Sequence, residues 1–117
     1  MKIIKAIPVI FYTEDSGREP VRLWLQELDR EDRRRIGADI RSVQIDWPIG
    51  YPLVSPLGHK LWEVRTALDN RIARVIFILH NGAMVLLHGF IKKTQKTPQG
   101  ELELALKRAK KVMMEEK

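Results

Sequence analysis

Three β-prone runs divided by short polar breaks constrain the fold of this 117-residue chain more than any other feature. They occupy residues 60–65, 70–80 and 84–98, and the last of them ends in a group of lysines. Asn81 and Gly82 separate the second run from the third, and an Asn-Gly pair between two β-prone runs is the strongest local signal for a tight hairpin. We therefore expect the last two strands to be adjacent and antiparallel, with cations held at one surface of the sheet.

One strand and two helices are predicted before these runs. Residues 2–12 are rich in Ile, Val and aromatic side chains, and Pro8 indicates an edge strand or a bulge. Pro20 suits the first turn of a helix, and Asp29 suits the N-cap of a second helix that Pro48 ends. The apolar stripes that these helices would bury are Val21, Trp24, Leu25 and Leu28, and then Ile36, Ile40, Val43 and Trp47.

A loop and a final helix complete the predicted fold. Residues 49–59 are rich in proline and glycine and are predicted to be a loop. Thr97 and Pro98 are predicted as the N-cap and first turn of the last helix, which would bury Leu102, Ala105, Leu106, Ala109, Val112 and Met113. The order β-α-α-β-β-β-α predicts a single α+β domain over residues 1–117, with helices packed against a small sheet.

The composition narrows the class of protein and its partners. Lys and Arg number 21 against 15 Asp and Glu, so the first partner to consider is a nucleic acid or an acidic protein, and a solvated basic surface is the alternative. No window approaches the roughly 18 apolar residues of a membrane span, and the N-terminus lacks the cleavage site of a secretory signal. The absence of cysteine excludes disulfides and thiolate metal sites and is typical of a cytoplasmic protein.

Motifs for cofactor and metal chemistry are missing from the sequence. It has no Walker loop, no dinucleotide glycine pattern and no nucleophile elbow, and its histidines lack metal-ligand spacing. We therefore expect neither a small-molecule cofactor nor a metal. Residues 92–111 instead hold seven cations against Glu101 and Glu103, a density that favours contact with phosphate groups.

Alternation along the β-prone runs indicates which charged side chains share a face of the sheet. Glu63 and Arg65 lie on one face of the first run, and Trp62 lies on the other. Arg74 interrupts the apolar second run, where a buried charge is costly unless it is paired or functional. A cross-strand ion pair between Arg74 and Glu63 is the purely structural alternative, and it is compatible with a functional site.

The last β-prone run places further candidates together. His88, Phe90 and Lys92 share one face, and Lys93 lies on the other. His88 is either a general acid or base, since an imidazole titrates near neutral pH, or a histidine satisfied within the sheet. Phe90 and Trp62 either stack on a nucleic-acid base or belong to the core.

The same residues resemble a known family. The resemblance to the phage-derived, HigB-type toxins of the RelE/ParE superfamily is carried by residues 60–65, Arg71, Arg74, residues 86–98, Glu101 and Ala105. Residues 19–21 and 25–28 extend it over nearly the whole chain. Its most specific part is the string Gly-Phe-x-Lys-Lys-x-x-Lys-Thr-Pro, which begins at Gly89.

The resemblance implies the toxin of a type II toxin–antitoxin module. It implies a RelE-like fold, in which a small, curved, mostly antiparallel sheet is flanked by an N-terminal helical hairpin and a C-terminal helix. It also implies an mRNA interferase, a cytoplasmic endoribonuclease that cuts mRNA on the ribosome and that a cognate helix-turn-helix antitoxin neutralises. No membrane and no cofactor take part.

The implied mechanism is independent of metal ions. The RNA 2′-OH attacks the adjacent phosphate, and cations meet the charge that develops there. Arg65 and Arg74 would clamp the scissile phosphate, since arginine suits bidentate contact, and Glu63 would orient an arginine or accept a proton. The implied catalytic residues are Arg65, Arg74, Lys93, Glu63 and His88, and the implied RNA-binding residues are Lys92, Lys96, Arg71, Lys60, Trp62 and Phe90.

Two other functions remain open at this point. One is a ParE-like toxin that inhibits DNA gyrase and has no nuclease activity. The other is a non-catalytic, phage-derived interaction protein whose basic face meets an acidic partner. Transcripts cut at translated codons would distinguish the nuclease from both.

Overall fold

The computed structural model describes residues 6–115, which form three helices and one five-stranded sheet. The elements are β1 (Val9–Phe11), α1 (Pro20–Glu27), α2 (Arg30–Asp46), β2 (Val54–Gly58), β3 (Leu61–Leu68), β4 (Arg71–His80), β5 (Ala83–Lys92) and α3 (Gln99–Met114). The strand order in the sheet is β1-β5-β4-β3-β2, with β1 parallel to β5 and every other pair antiparallel. The predicted α+β class is confirmed, and the predicted order gains one strand.

The additional strand is β2, so the prediction of a loop over residues 49–59 is wrong in part. Val54 lies opposite Val64 of β3, and Ser55 lies opposite Glu63. Pro56 cannot donate a backbone hydrogen bond, but β2 is an edge strand, where such a residue is tolerated. The proline and glycine content that predicts a loop therefore also suits a short edge strand.

β1 is shorter than the predicted first strand. It spans Val9–Phe11, and residues 2–5 of that prediction lie outside the described residues. β1 lies at the edge of the sheet, as Pro8 indicates, and the Pro8 carbonyl accepts a 2.8 Å hydrogen bond from the Met84 N–H. The predicted edge position is confirmed.

The helical hairpin follows the sequence signals closely. α1 begins at Pro20. Oδ1 of Asp29 accepts a 2.9 Å hydrogen bond from the Asp32 N–H, which satisfies one of the free donors at the start of α2. α2 ends at Asp46, two residues before Pro48. These local predictions hold because they depend on only a few neighbouring residues.

The hairpin between β4 and β5 has the predicted two-residue turn. Asn81 and Gly82 both have positive φ, 51° and 77°, as a type I′ turn requires. A register shift follows, in which Ile76 pairs with His88 while the next residue of β4 pairs with Leu86. The bulge at Leu87 lets both Leu87 and His88 lie on the α3 side of the sheet.

Two cores fill the opposite faces of the sheet. The core below α1 and α2 contains Ile36, Val43, Val64, Phe77 and Leu86, all buried. The core below α3 contains Leu61, Ile76, Val85, Leu87 and Ala105. Burial of apolar surface on both faces of the sheet is the main stabilising contribution. Within residues 6–115, no helix combines the length and apolar character needed to cross a membrane.

α3 begins differently from the prediction. Pro98 occupies the N-cap position, and no side chain there accepts a hydrogen bond from the helix. Thr97, the predicted cap, instead directs its hydroxyl towards β3. Ala105 and Ala109 are buried as predicted, whereas Met113 is exposed.

Candidate functional site

Polar side chains from three adjacent strands meet on the α3 side of the sheet. Arg65 of β3 lies opposite Arg74 of β4, and Arg74 lies opposite Phe90 of β5. Alternation places Glu63 on the same face as Arg65, and Lys92 on the same face as Phe90. α3 packs on the apolar side chains of this face, so a different segment must shield the polar side chains from solvent.

That cover is the segment that we call the lysine loop, residues 93–98. The Thr94 carbonyl accepts a hydrogen bond from NH2 of Arg74. Oε1 of Gln95 accepts a 2.9 Å hydrogen bond from NH2 of Arg65. The Thr97 hydroxyl donates a 2.6 Å hydrogen bond to Oε2 of Glu63. The loop therefore leaves the end of β5 and is fastened to β4 and β3 by three side chains beneath it.

Glu63 is the centre of this arrangement and is completely buried. Besides Thr97, its carboxylate has Arg65 NH1 at 3.5 Å and Arg74 Nε at 3.7 Å, both from Oε1. A buried carboxylate is stable only with partners that replace water, and here two guanidinium groups and one hydroxyl surround it. The expected cross-strand contact between Arg74 and Glu63 is present.

Arg74 is also completely buried. Its Nε and NH1 atoms have no hydrogen-bond partner within residues 6–115, and its guanidinium carbon lies 5.8 Å from the centre of the Phe90 ring. Burial lowers the pKa of Arg74, the Glu63 carboxylate opposes that change, and the Arg65 charge adds to it. Because an arginine keeps its proton over the ordinary pH range, Arg74 remains a cation enclosed beneath the loop.

A second polar pair lies at the accessible rim of this face. Nε2 of His88 is 2.7 Å from Oε1 of Glu101, and the His88 ring stacks on Phe90 with centroids 5.6 Å apart. Nζ of Lys92 lies 3.9 Å from Oε2 of Glu101, and 48% of the Lys92 side chain is exposed. A carboxylate that engages one imidazole nitrogen fixes the ring and leaves Nδ1 for proton transfer. The rim thus combines an oriented histidine with a cation.

The structure brings most of the predicted site residues together. Glu63, Arg65 and Arg74 share one cluster, and His88, Phe90 and Lys92 lie beside it. Lys93 and Lys96 belong to the lysine loop and are exposed. Arg74, however, is covered by the loop, so in this arrangement it cannot reach a phosphate as the resemblance implies.

Three other predicted residues lie elsewhere. Arg71 forms a 3.0 Å ion pair with Asp32 of α2. Trp62 is on the opposite face, where its ring meets Trp47 edge-on at a centroid distance of 5.1 Å. Lys60 is exposed in the turn between β2 and β3, with φ of 68°. Arg71 and Trp62 are therefore occupied by structural contacts with the helical hairpin.

Gln95, Thr97 and Glu101 were not predicted as site residues. Each contacts a partner at least 13 positions away in the sequence, so no local spacing indicates the contact. Thr97 is next to a proline before a helix, which favours the capping interpretation. Within residues 6–115, no group of three or more histidines and carboxylates is arranged to hold a metal ion.

Comparison with known proteins places these residues in a family. The family model described as "Phage derived protein Gp49-like (DUF891)" matches residues 23–110, which is about three quarters of the chain. The matched region begins within α1 and ends within α3, so it includes the buried cluster, the lysine loop and the rim. No curated protein matches the chain.

Proposed function

Because the chain belongs to the Gp49-like family of phage-derived proteins, which is associated with the toxins of toxin–antitoxin systems, we propose that it is a HigB-type toxin that cleaves mRNA on the ribosome. Its partners would be translated mRNA and a cognate helix-turn-helix antitoxin. The HigB-type string that begins at Gly89 supports the assignment. The proposed reaction needs no metal ion.

The observation that carries this proposal is the position of the lysine loop beside the His88–Glu101 pair. Lys92, Lys93 and Lys96, which we call the cationic border, are exposed, and Lys92 shares the Glu101 carboxylate with His88. Ammonium groups attract and position RNA phosphates, and an oriented imidazole can move a proton. Together they provide what cleavage by the 2′-OH requires.

In the proposed reaction, Nδ1 of His88 accepts the proton of the RNA 2′-OH. The 2′-oxygen then forms a bond to the adjacent phosphorus, and the bond from phosphorus to the 5′-oxygen breaks. A lysine ammonium of the border, with Lys93 the first candidate, donates a proton to the 5′-oxygen as it leaves. The products are a 2′,3′-cyclic phosphate and a 5′-hydroxyl. Nearby cations stabilise the charge on the phosphate in the transition state.

The buried cluster has a different part in this proposal. Arg65 is 15% exposed at its side chain and can still contact the RNA. Arg74 and Glu63, both buried, are positioning residues, because they hold the loop that carries Lys93 and Lys96. In this proposal the predicted cluster is still functional, but Arg74 supports the lysine loop and does not contact the substrate.

The test is induction of the chain in cells without an antitoxin, followed by mapping of RNA 5′ ends. Translation arrest, with 5′-hydroxyl ends inside translated codons, is the expected result. Intact transcripts together with gyrase-trapped DNA breaks would establish the ParE-like alternative instead. Normal growth at a confirmed level of folded protein would overturn both assignments.

A further inference from the structure

A pocket of about 390 Å³ lies beside the C-terminal part of β3, the part that does not pair with β2. β2 pairs with β3 only as far as Val64, and beyond it the Arg65 N–H donates to the Leu53 carbonyl at 2.8 Å. Among residues 6–115, no strand therefore covers the outer edge of the last residues of β3. Leu53, Ala67 and Ile72 provide apolar walls there. A concave, mostly apolar site with a few polar groups is the usual form of a small-ligand site.

One polar group of the pocket is Asp39, on α2. Neighbouring acidic residues are engaged, since Asp29 caps α2 and Asp32 pairs with Arg71. The side chain of Asp39, in contrast, makes no hydrogen bond or ion pair with any residue in the described part of this basic chain. Its carboxylate offers two acceptor oxygens beside apolar walls.

The other polar groups are Arg65 and Gln95. Arg65 is held by contacts of NH1 with Oε1 of Glu63 and with the Gln95 carbonyl, and of NH2 with Oε1 of Gln95. A guanidinium has five N–H donors, so these three contacts leave two of them without a partner in the described part of the chain. The pocket thus presents the two acceptor oxygens of Asp39 and the remaining N–H donors of Arg65.

We propose that this pocket binds a guanine base of the RNA substrate, an inference that rests on the proposed nuclease function. Guanine carries two adjacent donors, N1–H and N2–H, that a carboxylate such as Asp39 can accept together. It also carries the acceptors O6 and N7, which arginine recognises. Cytosine, adenine and uracil each lack the adjacent pair of ring and amino donors.

The neighbourhood of the pocket fits a nucleotide of a longer RNA strand. Gln95 belongs to both the pocket and the lysine loop. A base seated in the pocket would therefore have its phosphate near Lys93 or Lys96, the groups proposed to position the backbone. Apolar walls would contact the faces of the purine ring, and Asp39 and Arg65 would select it from the other bases.

The test is a titration of the isotopically labelled protein with GMP, AMP, CMP and UMP, followed by backbone amide chemical shifts. We expect GMP to shift the amides of Arg65, Ala67 and Gln95 and to bind at least about tenfold more tightly than the other nucleotides. Asp39→Asn should remove that preference without altering the fold, because the Asp39 side chain pairs with no other residue in the described range 6–115. Asp46→Asn, at the exposed end of α2, is the matched control and should bind GMP like the unaltered chain.

Equal affinity for the four nucleotides, or a GMP preference that survives Asp39→Asn, would overturn the pocket assignment. Shifts confined to the lysine loop would do the same, since they would report phosphate contact alone. None of these measurements needs RNA cleavage. A protein that prefers GMP through Asp39 but leaves cellular transcripts intact would therefore refute the nuclease and retain the base pocket.

Discussion

The Thr97 hydroxyl donates a 2.6 Å hydrogen bond to Oε2 of Glu63, a carboxylate that is completely buried on the α3 side of the sheet. The two residues are 34 positions apart in the sequence. Their contact closes the lysine loop over Arg74, two of whose guanidinium nitrogens have no hydrogen-bond partner among the described residues. The loop that carries the exposed lysines is therefore tied to the most polar part of the interior.

Replacing Thr97 with valine keeps the shape of the side chain and removes the donor. We expect Thr97→Val to lower the free energy of unfolding by about 1–3 kcal/mol, because a buried charged acceptor loses a partner. Thr94→Val is the matched control, since the Thr94 hydroxyl only donates to the exposed Lys96 carbonyl at 3.3 Å. Urea unfolding of both variants measures the difference. Equal midpoints would show that the Thr97 contact contributes nothing to stability.

Glu63→Gln should be more damaging. The amide retains the size of the carboxylate but leaves Arg65 and Arg74 without their shared counter-charge, and loss of one buried partner costs about 3–5 kcal/mol. We expect the lysine loop to become sensitive to proteases that cut after lysine. Glu103→Gln, on the exposed side of α3, should change neither property. If the free energy of unfolding of Glu63→Gln equalled that of Glu103→Gln, the Glu63 carboxylate would not be central to the cluster.

Gly89 lies against the ring of Trp24, and an added Cβ would overlap the ring atoms Cε3 and Cζ3. Gly89→Ala therefore forces α1 away from β5, and we expect a loss of about 1–3 kcal/mol of stability from overpacking. Gly37→Ala is the control, and we expect it to raise stability where Gly89→Ala lowers it. Apart from the backbone of α2 itself, no atom of the described residues lies within 4 Å of its added Cβ, and alanine inside a helix is favoured over glycine by about 0.5–1 kcal/mol. Thermal unfolding of the two variants should shift in opposite directions, and a neutral Gly89→Ala would contradict the contact.

The contacts of Glu31 make the stability of the fold depend on pH in a direction that can be predicted. Hydrogen bonds from Arg34, and then from Arg35, lower the pKa of Glu31 from 4.5 to about 2. Its contribution to stability is therefore complete above pH 4.5 and is lost as the pH falls towards 2. The stability difference between the unaltered chain and Glu31→Gln should shrink over that interval. Because these groups are exposed, added salt should also reduce it, and a difference that is constant with pH would refute the linkage.

His88→Asn tests the proposed proton transfer. We expect about a 100-fold or greater loss of RNA cleavage with the fold retained, because asparagine cannot accept the 2′-OH proton. His59→Asn is the control, since His59 is exposed in the turn between β2 and β3 and asparagine tolerates its positive φ of 54°. Cleavage is measured by mapping 5′-hydroxyl ends after induction. Full activity of a folded His88→Asn protein would exclude His88 as the base.

Local sequence signals account for most of the elements, though not for β2, and for the faces of the strands. Asn81-Gly82 predicts its hairpin, Asp29 predicts its cap, and alternation places Glu63, Arg65 and Arg74 on one side of the sheet. Each of these depends on dihedral preferences or hydrogen bonds within a few residues. The sequence also indicated β1 as an edge strand, since Pro8 cannot donate to a neighbour.

The tertiary structure decided which of those residues are accessible. Alternation assigns Arg74 to a face, but only the path of the lysine loop makes it a buried support instead of a phosphate contact. Arg71 and Trp62 contact the helical hairpin, and Asp39 and Arg65 line the same pocket, through packing between segments that are distant in sequence. Burial depends on which segments lie above a side chain, and that is a property of the whole fold and not of neighbouring residues.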